Sequence, residues 1–106
     1  MEDKIHSIIT RPHEYEATYF GYKIEKENTK NSYIDIHLKK GNEVRKLRFL
    51  QPTQVEIEKG FNGNICGMEI LDIRKRQLEG IGIEVRNFEQ DAEITFLARE
   101  VEELME

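Results

Sequence analysis

Residues 33–39 alternate strictly. Ile34, Ile36 and Leu38 fall on one side, and Asp35, His37 and Lys39 on the other. Successive side chains of a strand point to opposite faces, so this pattern predicts a half-buried strand. Gly41-Asn42 follows, a dipeptide suited to a tight hairpin turn, and residues 44–50 supply the return strand with Leu47 and Phe49 inward. That hairpin sets Lys39, Lys46 and Arg48 beside Asp35 and His37 on its polar face. Pro52 ends it, because proline has no N–H to give a ladder. Val55 and Ile57 then alternate with Gln54, Glu56 and Glu58 in a further short strand.

The same period of two runs through the rest of the chain, with interruptions. From Tyr15 it places Tyr15, Ala17 and Tyr19 on one parity and Phe20, Tyr22 and Ile24 on the other, a switch that a bulge at Gly21 would produce. Residues 25–32 read as a polar loop. Residues 59–85 hold a glycine-rich turn around Phe61-Asn62, then an apolar run from Ile65 to Ile73, a basic corner at Arg74-Lys75-Arg76, and the strand of Ile81, Ile83 and Val85. The apolar run has hydrophobic residues on both parities, as expected of a strand covered on both faces or of a bulge near Ile70-Leu71. Gln90-Asp91 marks a turn before an inward face of Ile94, Phe96 and Ala98.

The two ends change period. Ile5, Ile8 and Ile9 have i, i+3, i+4 spacing, which favours a short docking helix over an edge strand, stopped at Pro12. Val101, Leu104 and Met105 suggest a terminal helical turn. Short strands with turn signals every 8–12 residues specify an all-β fold. The expectation is an antiparallel β-sandwich or open barrel of about seven strands, with short helical turns at both termini. Its inward residues would be Phe20, Ile24, Ile34, Ile36, Leu38, Leu47, Phe49, Val55 and Ile57 in the first half. In the second they would be Met68, Ile70, Ile73, Ile81, Ile83, Val85, Ile94 and Phe96.

Composition adds bounds. A length of 106 residues fits one domain, 1–106, and 38% hydrophobic with 35% charged residues is a globular composition. Met1-Glu2-Asp3-Lys4 lacks the basic start of a signal peptide, and no apolar run approaches the ~20 residues of a membrane span. The single cysteine, Cys66, allows no internal disulfide, so a reducing, cytoplasmic setting is expected. A net charge of −5 argues against nonspecific binding to nucleic acid or anionic membrane.

No catalytic constellation emerges. His6, His13 and His37 are isolated in sequence, and one cysteine cannot build a zinc cluster. His13 and Tyr15 would share a strand face, better read as a polar edge than as a metal or acid–base site. Cys66 lies in an apolar run beside Ile65 and Met68 and is expected to be a buried thiol, not a nucleophile. Ser7 and Ser32 lack a glycine-flanked elbow. Gly60, Gly63 and Gly67 lack the ending of a phosphate loop and suit turns and bulges. Asp35 and Glu56 would need to face each other across strands to act as a carboxylate pair. No catalytic, cofactor-binding or metal-ligating residue is assigned.

Charge is distributed unevenly. Lys39, Lys40, Arg45, Lys46 and Arg48 gather on one hairpin, while Glu84, Glu89, Asp91, Glu93, Glu100, Glu102 and Glu103 make the last third acidic. Those seven are the candidate partner-binding residues, for an acidic surface attracts a basic protein. The basic hairpin would suit RNA only with stacking aromatics. Tyr33 and His37 share its outer face, but no RNA-binding motif is present.

His13-Glu14-Tyr15-Glu16-Ala17 opening a strand, Leu47-Arg48-Phe49 followed by Val55-Glu56-Ile57, and Gly60-Phe61 leading to Asn64-Ile65 resemble small bacterial immunity proteins of the immunity protein 50 type. The likeness spans about residues 13–100. It departs from that pattern at Glu14, where the family has an aspartate. The resemblance implies a non-catalytic antidote that binds and neutralises a cognate toxin, a basic toxin domain on charge grounds. The contrasting expectation is a small-ligand-binding or enzymatic β-barrel with an interior cavity. Pairing of two copies through an edge strand is open to either.

Overall fold

The computed structural model describes residues 4–57, 67–87 and 94–104. Among these residues nine strands are formed: β1 (Lys4–Ile5), β2 (Glu16–Lys23), β3 (Tyr33–Lys40), β4 (Glu43–Leu50), β5 (Thr53–Ile57), β6 (Met68–Asp72), β7 (Ile83–Asn87), β8 (Ile94–Ala98) and β9 (Glu100–Glu103). The described residues contain no α-helix, only single 3₁₀ turns at Pro12–Glu14, Thr29–Asn31 and Arg74–Arg76. All pairings are antiparallel, in a five-stranded sheet ordered β1-β6-β7-β8-β5 and a four-stranded sheet ordered β2-β3-β4-β9. The molecule is an all-β antiparallel sandwich.

The two sheets share a corner. The β4–β9 ladder ends at Leu50↔Glu100 and resumes as the β5–β8 ladder at Thr53↔Leu97. Between them the Arg99 N–H donates to the Leu50 carbonyl at 2.8 Å. β4 and β5 are therefore one strand bent at Gln51-Pro52, and β8 and β9 one strand bent at Arg99. Nine segments correspond to seven long strands. Gln51 takes the left-handed conformation, φ +51°, at the bend, and Pro52 is buried beside it.

The core lies between the sheets. Ile34, Ile36, Leu38, Leu47 and Phe49 come from β3 and β4; Met68, Ile70, Ile83, Val85, Ile94, Phe96 and Ala98 come from the facing sheet. Phe49 and Phe96 meet edge to face across the interface, 5.0 Å between centroids, a favoured geometry of the ring quadrupoles. β6 keeps an uninterrupted register with β7, and Ile70 and Leu71 are both buried. The mixed parity of that run thus reflects a strand covered on both faces, not a bulge.

Several expectations change. The N-terminal segment is an edge strand: Lys4 and Ile5 pair with Asp72 and Leu71, and the His6 N–H continues the ladder to Ile70 O at 2.8 Å. Ile8 and Ile9 serve the connection to β2, where Ile9 enters the core. The C-terminal segment is β9, since Val101 pairs opposite Phe49 and packs on the core, and the Leu104 N–H reaches Lys46 O. The bulge in β2 sits between Ala17 and Tyr19, not at Gly21. It leaves Ala17 and Phe20 facing inward and Tyr19 outward. Ile24 (61% exposed) and Ile57 (44%) are not core residues, because Ile24 lies beyond the end of β2 and Ile57 at the end of an edge strand. The Gly41-Asn42 turn is as expected, with Gly41 at φ +60° joining Lys40 to Glu43. Gly67 takes φ +92° at the entry to β6. Cys66, Gly60, Gly63 and the Gln90-Asp91 turn lie outside the described residues.

Candidate functional site

The outer face of the four-stranded sheet is where exposed aromatic and charged side chains converge. Ile34, Ile36 and Leu38 are buried, so β3 must present Tyr33, Asp35, His37 and Lys39 outward. Register then selects their neighbours. Tyr19 lies opposite His37 and Lys23 opposite Tyr33 on β2, Arg48 opposite Asp35 and Lys46 opposite His37 on β4, and Glu102 opposite Arg48 on β9.

Contacts fix this face. Arg48 donates from Nε and Nη2 to the two oxygens of Asp35 at 2.8 and 2.9 Å, the fork-on-carboxylate geometry that lysine cannot reproduce. The Asp35 carboxylate holds the Arg48 guanidinium above its usual range. The same guanidinium lies 3.8 Å from the Tyr33 ring centroid, with Lys23 Nζ at 5.8 Å, both within cation–π range. Tyr19 stacks at a tilt on His37, 4.6 Å between centroids. The Tyr19 ring spreads over Gly21, where an added Cβ would come within 2.6 Å of the tyrosine oxygen. Gly21 therefore provides the floor for a ring and not the bulge its sequence position suggested.

A second cluster closes one end of the sandwich. Arg45 shares the Leu38 side of β4 and donates to both oxygens of Glu103 at 2.6 and 2.8 Å, and to the Ile8 carbonyl at 2.6 Å. These bonds hold its guanidinium above the usual range, the Glu103 carboxylate being the main cause. The Tyr15 hydroxyl donates to Glu43, which pushes the phenol up and the Glu43 carboxyl down. Lys40 bridges to Glu14 at 3.0 Å, and Arg11 to the same carboxylate at 3.2 Å. Arg11, Glu14, Tyr15, Lys40 and Arg45 line an open cleft of about 320 Å³ with residues 7–10. Burial holds His6 below the usual imidazole range, and its Nδ1 accepts from the Ile8 N–H.

The acidic candidates are dispersed over both sheets. Glu84, on β7, pairs with Arg76 at 2.9 Å, and Glu103 pairs with Arg45. Glu100 and Glu102 are exposed along β9, on the edge of the aromatic face. Glu89, Asp91 and Glu93 lie outside the described residues. Asp35 and Glu56 are not brought together: Asp35 binds Arg48, whereas Glu56 lies opposite Thr95 in the other sheet. His13 falls in the 3₁₀ turn before Tyr15. Among the described residues no three His, Cys, Asp or Glu side chains are grouped to hold a metal ion, and no helix is long and apolar enough to cross a membrane.

Sequence reasoning placed Tyr33, His37, Lys46 and Arg48 on one face but omitted Tyr19. The bulge at Ala17–Tyr19 puts it there, and the signal was the unbranched floor at Gly21 two residues on. Comparison with protein-family models, with curated proteins and with solved structures finds no match to this chain.

Proposed function

We propose that the chain is a non-catalytic protein-binding domain that meets its partner with the outer face of the four-stranded sheet. The observation that carries this reading is the row Tyr19–His37 and Tyr33–Arg48, large side chains held in place by stacking and a bidentate ion pair. Tyrosine and arginine dominate binding hot spots, and side chains already ordered lose little entropy on association. The face also balances its charge. Lys23, Lys39, Lys46 and Arg48 stand against Glu16, Asp35, Glu100 and Glu102, which suits a protein better than the uniform negative charge of nucleic acid. The core between the sheets is filled by Phe49, Phe96 and their neighbours, which supports surface recognition over an interior ligand.

The more specific form of the proposal is neutralisation of a basic toxin domain. It rests on the family resemblance together with Glu100 and Glu102 at the rim of the face. Co-expression with the toxin-like product of a neighbouring gene tests it: a co-purifying complex and restored growth are expected, and absence of both overturns the toxin reading. Within a complex, Tyr33→Ala or Tyr19→Ala is expected to weaken binding by ~2 kcal/mol or more, as hot-spot truncations do. Unchanged affinity in both variants would remove the sheet face as the site.

A further inference from the structure

We infer that residues 4–8 are a latch released by acid: protonation of the His6 ring breaks the turn that follows it, and β1 then leaves the edge of β6. His6 Nδ1 accepts from the Ile8 N–H at 3.0 Å. A backbone N–H can only donate, so this bond requires a bare Nδ1 and a neutral ring with its proton on Nε2. Asparagine closes a turn of the same kind, accepting from the backbone two residues on, and does so without a titrating group. Histidine in that place makes the turn conditional on pH. Once Nδ1 carries a proton, two donors face each other and the bond is lost.

The surroundings oppose the charged ring. Burial disfavours it most; Asp72, at the end of β6, favours it, and Arg74, in the turn after β6, disfavours it. Asp72 is already committed, with Arg74 Nε at 2.9 and 3.1 Å from its two oxygens. What the turn holds in place is slight. β1 pairs at two positions, Lys4↔Asp72 and Ile5↔Leu71, both of its residues are exposed, and the His6 N–H adds one bond to Ile70 O at 2.8 Å. Beyond the turn the chain is anchored, for Arg45 donates to the Ile8 carbonyl at 2.6 Å and Ile9 lies in the core. Opening therefore stops at Ile8. It uncovers the backbone of β6 at residues 70–72, where Ile70 and Leu71 are both buried, and an uncovered edge is a template for another strand. The device covers that edge at neutral pH and offers it in acid. The inference stands whether or not the outer face of the other sheet binds a protein.

NMR on the intact chain tests it, from about pH 7.5 to about pH 5, the span in which histidine changes charge. Nitrogen shifts of the ring should show Nδ1 bare at neutral pH and a titration midpoint below 6.5. A proton taken up only in the open form favours opening by up to about tenfold per pH unit. The latch is thus at full strength above 6.5 and weakens as pH falls towards the lowered midpoint. Hydrogen-exchange protection of the His6 and Ile8 amides, corrected for the intrinsic rate, should fall across that window, while amides of β3 and β4 stay far better protected. His6→Asn keeps an acceptor and loses the titrating group, so the amides of residues 6 and 8 should hold their protection there. A ring that titrates at or above 6.5 overturns the inference. So does protection at residues 6 and 8 that ignores acid in the wild-type chain, or that falls equally in His6→Asn.

Discussion

Asp35 and Arg48 show how far a single pair of residues is determined by pattern. Once 33–39 is a strand and Gly41-Asn42 a tight turn, counting back along the hairpin brings Asp35 opposite Arg48, and the structure closes both hydrogen bonds. The pair is only partly exposed, 13% and 29% at the side chains, so it is less screened than the exposed pairs that contribute ~0–1 kcal/mol. A double-mutant cycle with Asp35→Ala and Arg48→Ala, read by urea denaturation, is expected to give a coupling of about 1–2 kcal/mol. Arg48→Lys keeps the charge but loses the fork and the Tyr33 stack, and should recover less than half of it. Asp72 offers a pH counterpart. Its side-chain hydrogen bonds from Arg74 hold the carboxyl down from 3.8 to about 2. A carboxyl depressed in the folded state stabilises the fold above its unfolded pKa and loses that contribution as pH falls from 3.8 to about 2. Asp72→Asn should therefore lower the melting temperature most in the neutral range, where the contribution is full, and flatten its decline over that window, so that the two proteins converge at low pH. A decline of the same slope in the variant would refute it.

At the scale of the element, period-two patterning located β3, β4, β7 and β8 and their buried faces, because each alternates cleanly against one core. It misread the ends. Val101 and Leu104 have helical spacing only because the chain passes through the Arg99 bend and then follows a register set by β4, a partner fifty residues away in sequence and invisible to local periodicity. The bend at Gln51 was equally hidden: a non-glycine residue takes the left-handed conformation there, and Pro52 alone marked a change. Gly82 belongs to the same corner. Its N–H donates to Ala98 O, its carbonyl accepts from Ile73, and an added Cβ would lie 2.7 Å from the Arg99 carbonyl. Backbone cannot yield as a side-chain tip can, so Gly82→Ala should destabilise by about 1–3 kcal/mol in chemical denaturation. Phe49→Ala removes one ring of the pair that joins the sheets and should lose about 3–5 kcal/mol, with a corresponding fall in melting temperature. An unchanged melting temperature would mean that Phe49 does not bridge the core.

Across the whole molecule the acidic third of the sequence does not become one acidic surface. Folding spreads it over two sheets and commits part of it internally: Glu84 to Arg76, and Glu103 to Arg45. That separation was illegible in sequence, since Glu103 and Arg45 are 58 residues apart and meet only because β9 crosses to the sheet that holds β4. Glu100 and Glu102 have a different setting, exposed on β9 beside the Tyr33–Arg48 face. The two kinds of glutamate should accordingly fail in different ways when changed. Glu103→Gln weakens the bond that ties β9 and the Ile8 carbonyl to Arg45, so its effect belongs in stability, measured by denaturation. Glu100 and Glu102 form none of the ion pairs described above, and with a basic partner the effect of Glu100→Gln with Glu102→Gln belongs in association. Rim charges act over about a Debye length, ~8–10 Å at physiological salt, and mainly change the rate of encounter. Stopped-flow association at low salt should slow several-fold in the double variant, dissociation should change little, and the difference from wild type should fade as salt rises. Equal association rates at low salt would show that β9 does not steer the partner, and would leave the aromatic row to account for recognition by contact alone.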